Sequence, residues 1–441
     1  MTFTSTRDAN IHFNFSEAVL AGLSAEGGLF VPESIPVLDK NIIADLTQKN
    51  NIHALGEHLL KPFIPDISSK DLLDDLVDSL NFPIPLVHLH EQIYLLEVFH
   101  GPTLAFKDVG ARFMARIVSR ILRQHHQTLD ILVATSGDTG SAVAAGFFNV
   151  PNVRVHVLYP QGRITHLQEQ QMATYGGNIF PLEVQGSFDD CQYLVKTILQ
   201  DKKFAQESGL HFSTANSINI ARLLPQLIYH AWGILQLQYH YHLSNPILCV
   251  PSGNFGNLVA AIYAHAAGLP VQHFIAATNK NAIVPNYLAT GQYQTHASLQ
   301  TYSSAMDVGH PSNFERLQYF YHDSLPAMRE AITALPISDE QTLEVIRRVY
   351  RTDHYLADPH TAVGIAAAEK YLSLKKTTAP IIVTATAHPA KFPEVVRLAL
   401  GDEVALPLPP ALEAVINRPK TSQLMPATLE AFKSHFLSIT V

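Results

Sequence analysis

The run His100-Gly101-Pro102-Thr103-Leu104-Ala105-Phe106-Lys107-Asp108 joins an apolar, strand-like segment, Tyr94 to Phe99, to a helical pattern that begins at about Lys107. One amine is thereby set at the mouth of a strand-to-helix turn. Beside an aromatic ring and near the positive end of a helix, a lysine gives up its proton more easily than a surface lysine does. An amine of that kind suits Schiff-base chemistry with a carbonyl compound. The commoner fate of a lysine in such a tripeptide is a solvated place in the first helical turn, so other residues have to decide between the two.

Two further turns have the build of anion sites. Val250-Pro251-Ser252-Gly253-Asn254-Phe255-Gly256-Asn257 follows an apolar strand and leads into a helix over Leu258 to Ala267. Its glycines let backbone N–H groups turn inward on a dianion at the positive end of that helix. The loop is neither a Walker loop, lacking the Gly-Lys-Ser/Thr ending, nor a dinucleotide G-x-G-x-x-G. A loop of the same design, Ala134-Thr135-Ser136-Gly137-Asp138-Thr139-Gly140-Ser141, can receive a carboxylate on its hydroxyls and N–H groups. Asp138 there is equally a natural helix N-cap. The strand Ile381 to Thr386 runs into Ala387-His388-Pro389-Ala390-Lys391-Phe392. A hydroxyl at the carboxyl end of a strand points into the crevice where open α/β sheets bind ligands. To a pyridine nitrogen Thr386 would offer a neutral partner, where a carboxylate would keep the ring protonated.

The elements that must position these groups follow from periodicity. Residues 1 to about 80 read as mainly helical, with apolar residues at helical spacing in Phe15 to Leu23, Ile42 to Leu46 and Leu72 to Leu80. A Pro-marked connector, Asn81 to Pro85, closes that region. Beyond it, short β-rich runs alternate with helical ones, the pattern of parallel βα units. The strand candidates are Tyr94 to Phe99, Ile131 to Thr135, Val153 to Tyr159, Ile179 to Val184, Ile247 to Val250, Phe274 to Ala277 and Ile381 to Ala385. A helix over Lys107 to Leu122 has Val109, Phe113, Ile117 and Ile121 on one face. Another is expected over Thr165 to Tyr175, and Ile218 to Tyr241 reads as one long buried helix. The Pro-rich stretch Leu406 to Pro419 is expected to wrap the surface ahead of a helix near Thr428 to Phe436. The domains expected are 1–82, mainly helical; 83–240, an α/β region with the lysine and the carboxylate loop; and 241–441, an α/β region with the phosphate loop and the C-terminal tail.

Composition narrows the function classes. A chain of 441 residues exceeds one ordinary core, and 47% hydrophobic against 15% charged residues describes a globular protein. The formal net charge is −8 with Lys and Arg scattered singly, so no basic stripe for nucleic acid exists. Apolar runs are too short to span a bilayer, and Arg7 and Asp8 stand where a signal peptide needs its apolar core. Cys191 and Cys249 are too isolated for a disulfide framework or a thiolate zinc site. The expectation is a cytoplasmic enzyme without nucleic-acid or membrane partners. Its 23 histidines invite a metal, yet His53 with His58, His88 with His90, the His125-His126 pair and Tyr239-His240-Tyr241-His242 make no convincing ligand set. No metal is expected.

In combination, Gly27-Gly28-Leu29-Phe30-Val31-Pro32, His100 to Asp108, Thr135 to Ser141, Asn216-Ser217-Ile218-Asn219 with Ala221-Arg222, Ser252 to Asn257, Asp358-Pro359-His360-Thr361 and Thr386 to Phe392 resemble the threonine synthase family. These are pyridoxal-phosphate enzymes of fold-type II, similar to tryptophan synthase β, and the resemblance runs through most of the chain. It implies an α/β fold of two parallel-sheet domains with the cofactor, pyridoxal 5′-phosphate, between them, preceded by a mainly helical N-terminal region. It also implies conversion of O-phospho-L-homoserine and water into L-threonine and phosphate. Position by position, Lys107 becomes the Schiff-base lysine and proton carrier, with Phe106 beside it in the cofactor site. Gly253, Asn254, Phe255, Gly256 and Asn257 fall on the cofactor phosphate and Thr386 on the pyridine nitrogen. Ser136, Gly137, Asp138 and Thr139 fall on the substrate carboxylate. Arg163, Asn216, Ser217 and Arg222 are the candidates for the substrate's own phosphate. The chain departs from the family pattern at Ala282, where many relatives carry Asp, and at Ser304, where Asn is common. The nearest rival reading is a fold-type II dehydratase, and the oligomeric state stays open.

Overall fold

Residues 1–125 and 127–439 are described by the computed structural model. They sort into two units, neither of them continuous in sequence. One holds Met1–Glu33, Lys107–Arg222 and the chain from Leu408 onward; the other holds Ser34–Phe106 and Leu223–Pro407. The stretches 1–82, 83–240 and 241–441 are thus each divided between the units. The physical reason is which core each apolar face finds. In the first unit, the helix Phe15–Ala21 lies against the strand Phe212–Thr214, where Ser213 Oγ donates to the Val19 carbonyl at 3.0 Å. In the second, the helix Ile52–Leu60 packs so closely on the helix Gln226–Tyr241 that a Cβ on Gly56 would lie 3.0 Å from Ile228.

The first unit is built on a five-stranded parallel sheet in the order Gln423–Pro426, Ile179–Gln185, Val153–Pro160, Leu129–Ala134, Phe212–Thr214. The helix Lys107–His125 buries Val109, Phe113, Ile117 and Ile121, as its periodicity requires. It meets the helix Asp138–Phe147 closely, since a Cβ on Gly146 would sit 3.1 Å from the Ala111 backbone. Phe3–Ser5 pairs antiparallel with Phe30–Pro32.

The second unit carries a six-stranded sheet in the order Ile332–Pro336, His273–Thr278, Ile247–Pro251, Ile381–Ala385, Ile93–Glu97, Leu86–His90. Only the last pairing is antiparallel. Ile93, Leu95, Ile247, Cys249, Ile275, Ala277, Ile381 and Val383 pack from one face of this sheet on Val363, Ile365 and Ala367 of the helix Pro359–Lys375. All seven expected strands form. Phe3–Ser5, Phe30–Pro32, Leu86–His90, Phe212–Thr214, Ile332–Pro336 and Gln423–Pro426 went unread, being short or at sheet edges, where partners and not periodicity decide strand formation. The single helix expected over Ile218 to Tyr241 breaks into Ile220–Leu223 and Gln226–Tyr241, because Pro225 has no N–H to continue the ladder. The stretch expected to wrap the surface contains a helix, Pro410–Ile416, that buries Leu412.

Among the described residues no helix is long and apolar enough to cross a membrane, and no group of three His, Cys, Asp or Glu is placed to hold a metal ion. His126 lies outside the described residues.

A buried polar cluster ties the C-terminal helix Leu429–Ile439 to the first sheet. His156 Nε2 lies 2.9 Å from Asp130 Oδ1, and its Nδ1 lies 2.9 Å from His435 Nε2. Arg154 donates to both oxygens of Asp130 at 2.8 and 2.7 Å. Burial alone would raise the Asp130 pKa, but the hydrogen bonds from His156 and Arg154 bring it below the ordinary value. Burial keeps both imidazoles neutral, lowering His156 and taking His435, which faces His156, down to about 4. Neutral His156 donates to Asp130, so its Nδ1 accepts from His435. Unfolded imidazoles protonate at about 6.5, above the folded values, so the cluster's contribution is complete above that pH and is lost as pH falls toward 4. Thermal melts between about pH 7.5 and about pH 5 should therefore show Tm falling with acid, and less steeply in His435→Phe; an equally steep fall in the variant would refute the linkage.

Candidate active site

Lys107 stands at the end of a locked piece of backbone. Ala105 bridges Ala387, Phe106 N–H donates to the Thr386 carbonyl at 2.8 Å, and His388 N–H donates to the Leu104 carbonyl at 3.0 Å. Leu104 holds a left-handed φ of 60°, a conformation uncommon outside glycine, and its N–H closes a turn onto Gly101 at 3.0 Å. The Lys391 amine, fully buried, donates to the Thr103 carbonyl at 2.8 Å. That hydrogen bond fixes the approach to Phe106. The next peptide bond leads to Lys107, the first residue of its helix.

The phosphate loop follows the strand Ile247–Pro251 and opens the helix Gly256–Ala266. Ser252 N–H donates to the Ala277 carbonyl at 2.8 Å, pinning the loop to the neighbouring strand. Phe255 takes a φ of 63° at the helix N-cap, a strained choice for an aromatic residue and one that turns the chain at the helix's positive end. Gly253 is required by packing, since a Cβ there would lie 2.7 Å from Met306 Cα. The Asn254 side chain accepts from Ser312 N–H at 2.5 Å. Asn257 Oδ1 accepts from Tyr229 Oη at 2.5 Å and from His230 Nε2 at 2.7 Å. Burial takes His230 down to about 4, so it serves as a neutral donor. The buried Asn257 Nδ2 has no hydrogen-bond partner.

In the carboxylate loop, Thr135 Oγ1 accepts from Gly137 N–H at 2.9 Å and from Gly140 N–H at 2.8 Å. Gly137, at a φ of 138°, occupies the N-cap itself, where a Cβ would meet the Gln168 amide at 2.5 Å. Asp138 is therefore inside the helix and does not cap it. Its Oδ1 accepts from Gln168 Nε2 at 3.0 Å, and its Oδ2 lies 3.8 Å from Lys107 Nζ. Ser136 is exposed and Thr139 half-buried. The amide of Asn216 spans the end of the adjacent strand, accepting from Ala134 N–H at 3.2 Å and donating to the Ala134 carbonyl at 2.8 Å. Buried Arg222 donates to the Ala215 carbonyl, and its own carbonyl would lie 2.7 Å from a Cβ on Gly110. Arg163 is exposed, with Asp190 as a nearby charge, and Ser217 is half-buried. The structure thus brings Lys107, Asp138 and Gln168 together and places Asn216 against the strand that feeds the loop.

Comparison with known proteins gives this arrangement a context. Residues 77–386 match the family described as pyridoxal-phosphate dependent enzyme, 2–79 match the threonine synthase N terminus, and 361–436 match the threonine synthase C-terminal family. The threonine synthase of Serratia marcescens is 38% identical over 440 residues, covering 100% of both chains. The chain belongs to the threonine synthase family. The crystal structure of Escherichia coli threonine synthase superposes with a TM-score of 0.91 at 36% identity, covering 100% of both chains. The crystal structure of pyridoxal-phosphate-bound threonine synthase from Brucella melitensis gives 0.91 at 34% identity, covering 99% of this chain and 98% of that one.

For a threonine synthase the fold is that of a fold-type II enzyme and the cofactor is pyridoxal 5′-phosphate. The residues present fit that group. A buried amide donor without a protein partner, Asn257 Nδ2, sits in the first turn of a helix behind a loop, which suits a phosphate. Sequence reasoning missed Tyr229 and His230, which fix that amide, and Met306 and Ser312, which fix the loop. A polar Tyr-His pair inside the apolar run Ile218 to Tyr241 was the available signal for the first two. Met306 and Ser312 lie too far along the chain to have given one. Of the two departures from the family pattern, Ala282 is an N-cap without a side-chain hydrogen bond, and Ser304 opens the turn Ser304–Met306 that meets Gly253.

Gly253→Ala forces the loop away from Met306, an overpacking cost of about 1–3 kcal/mol, so the affinity for pyridoxal 5′-phosphate should fall about tenfold or more. Titration of cofactor-free protein checks this, and an unchanged Kd would contradict it.

Proposed function

We propose that this chain makes L-threonine and phosphate from O-phospho-L-homoserine and water, the last step of threonine biosynthesis. The observation that carries the reading is the end-to-end likeness to threonine synthases. The intact Lys107, on a mount fixed by Thr386, adds support.

When bound, pyridoxal 5′-phosphate supplies an electron sink that makes protons on the substrate's α and then β carbon removable. Lys107 would anchor the cofactor through Nζ, which lies 3.8 Å from Asp138, and as a free amine Nζ would be the base placed to take the α proton and to return it. Backbone N–H groups of Gly253 to Asn257, with the Asn257 amide, hold the cofactor phosphate, while Phe106 flanks the site. The Thr386 hydroxyl meets the pyridine nitrogen as a neutral partner. Ser136 with the N–H groups of Asp138 and Thr139 receives the substrate carboxylate, Gly137 shaping the turn. For the substrate phosphate, Arg163, Asn216, Ser217 and Arg222 are the candidates in this reading, Asn216 and Arg222 being bonded also to the Ala134 and Ala215 backbone. A cytoplasmic setting, without nucleic-acid or membrane partners, belongs to the same proposal. The buried free thiols of Cys191 and Cys249 are in keeping with a reducing compartment.

Incubation with O-phospho-L-homoserine should release threonine and phosphate in equal amounts; 2-oxobutanoate in place of threonine would overturn the reading in favour of a dehydratase. Lys107→Ala should lower kcat by about a thousandfold or more, with cofactor still retained by the phosphate loop. Activity close to wild type in that variant would remove Lys107 from the chemistry.

A further inference from the structure

We propose that His360, oriented by Asp358, is a positioning residue for the cofactor-phosphate loop. The inference rests on the reading of Gly253 to Asn257 as the holders of that phosphate. Asp358 caps the helix Pro359–Lys375, with Oδ1 accepting from His360 N–H at 2.9 Å and Oδ2 from Thr361 N–H at 3.2 Å. The same Oδ1 lies 2.7 Å from His360 Nδ1, and Thr361 Oγ1 donates to Oδ2. A carboxylate only accepts, so Nδ1 carries the imidazole proton and Nε2 presents a lone pair. That lone pair receives Ala305 N–H at 3.1 Å.

Ala305 is the middle residue of the tight turn Ser304–Met306. Met306 Cα is the atom that leaves no room for a Cβ on Gly253. One rigid path therefore runs from the Asp358 carboxylate through a tautomer-locked imidazole to the backbone that the phosphate loop lies against. Asp358 and His360 are 1% and 2% exposed, which removes competing water from both hydrogen bonds. The other side of the His360 ring faces Phe392, with centroids 4.8 Å apart, at the end of the segment that begins with Thr386. His360 is thus wedged between the two pieces of chain that meet opposite ends of the cofactor. Its part in the reaction is to set where the phosphate is held, and it needs no contact with the phosphate to do so.

The test uses full-length protein freed of cofactor and titrated with pyridoxal 5′-phosphate, with a 31P NMR spectrum of the loaded protein. His360→Leu should raise the Kd about tenfold or more, the scale of a lost outer-layer hydrogen bond, and shift the bound phosphate resonance. His360→Gln, which keeps an acceptor for Ala305 N–H, should recover most of both. A wild-type Kd and resonance in His360→Leu, or an equal loss in the Leu and Gln variants, would overturn the proposal. Should His360→Leu not fold, Asp358→Ser keeps a helix cap and removes the second oxygen. It should weaken cofactor binding in the same direction, and an unchanged Kd and resonance there would also overturn the proposal. Loss in Gly253→Ala with none in His360→Leu would sink only the role of His360, whereas no loss in Gly253→Ala would sink the reading of the loop.

Discussion

The backbone pairing of Leu104 to Phe106 with Thr386 to His388 is the constraint on which the site depends. Lysine side chains are long and lose much rotamer freedom when fixed, so a reactive amine is only as well placed as its Cα. Here the Cα follows directly from a residue whose N–H is bonded to the carbonyl of Thr386. The strand Ile381–Ala385, in the middle of the six-stranded sheet, sets Thr386, and Thr386 in turn holds Phe106. Lys391 strengthens the arrangement by placing a buried amine on the Thr103 carbonyl. The left-handed Leu104 persists because both sides of its turn are held.

Around the phosphate loop, hydrogen bonds made by tyrosine and histidine side chains do much of the holding. Tyr229 and His230 present Asn257, and His360 presents the turn against Gly253. Neutral donors and acceptors leave the local field to the helix terminus and its N–H groups, which favours an incoming dianion. A buried amide donor left unpaired costs about 1–3 kcal/mol, which Asn257 Nδ2 bears until an acceptor reaches it. In the other unit Asp138 faces Lys107, its Oδ2 3.8 Å from Nζ.

Much of the fold was legible because buried parallel strands are written as apolar runs. Ile381 to Ala385 and Ile247 to Val250 could be read from composition alone, and the helix at Lys107 from its apolar face. Gln423–Pro426 could not be read, since three of its four residues are exposed and only its partner Ile179–Gln185 makes it a strand. Composition changes at Asn81 to Pro85, whereas the chain passes from one unit to the other at Glu33, Phe106, Arg222 and Pro407. In the site, glycine-rich turns were visible because they need special backbone angles, and Lys107 because of where it stands. Asn216 was visible as a polar residue near the loop, but its task of completing a strand end depends on a residue 82 positions away. The capping role expected of Asp138 belonged one residue earlier, to Gly137, and no local pattern distinguishes the two.

The interleaving of the units bears on how the protein is made. The first unit begins with Met1 and is finished only when Gln423–Pro426 adds the last strand to its sheet and Leu429–Ile439 buries His435 against His156. Between those ends the ribosome delivers both segments of the second unit, so the first unit stays open until the whole of the second has been made. Contacts of such sequence separation form late and slowly. Until the final strand emerges, the outer edge of Ile179–Gln185 is an unpaired template of N–H and C=O groups. The first sheet is thus the last to be completed, by a strand that lies more than two hundred positions beyond the strand it pairs with.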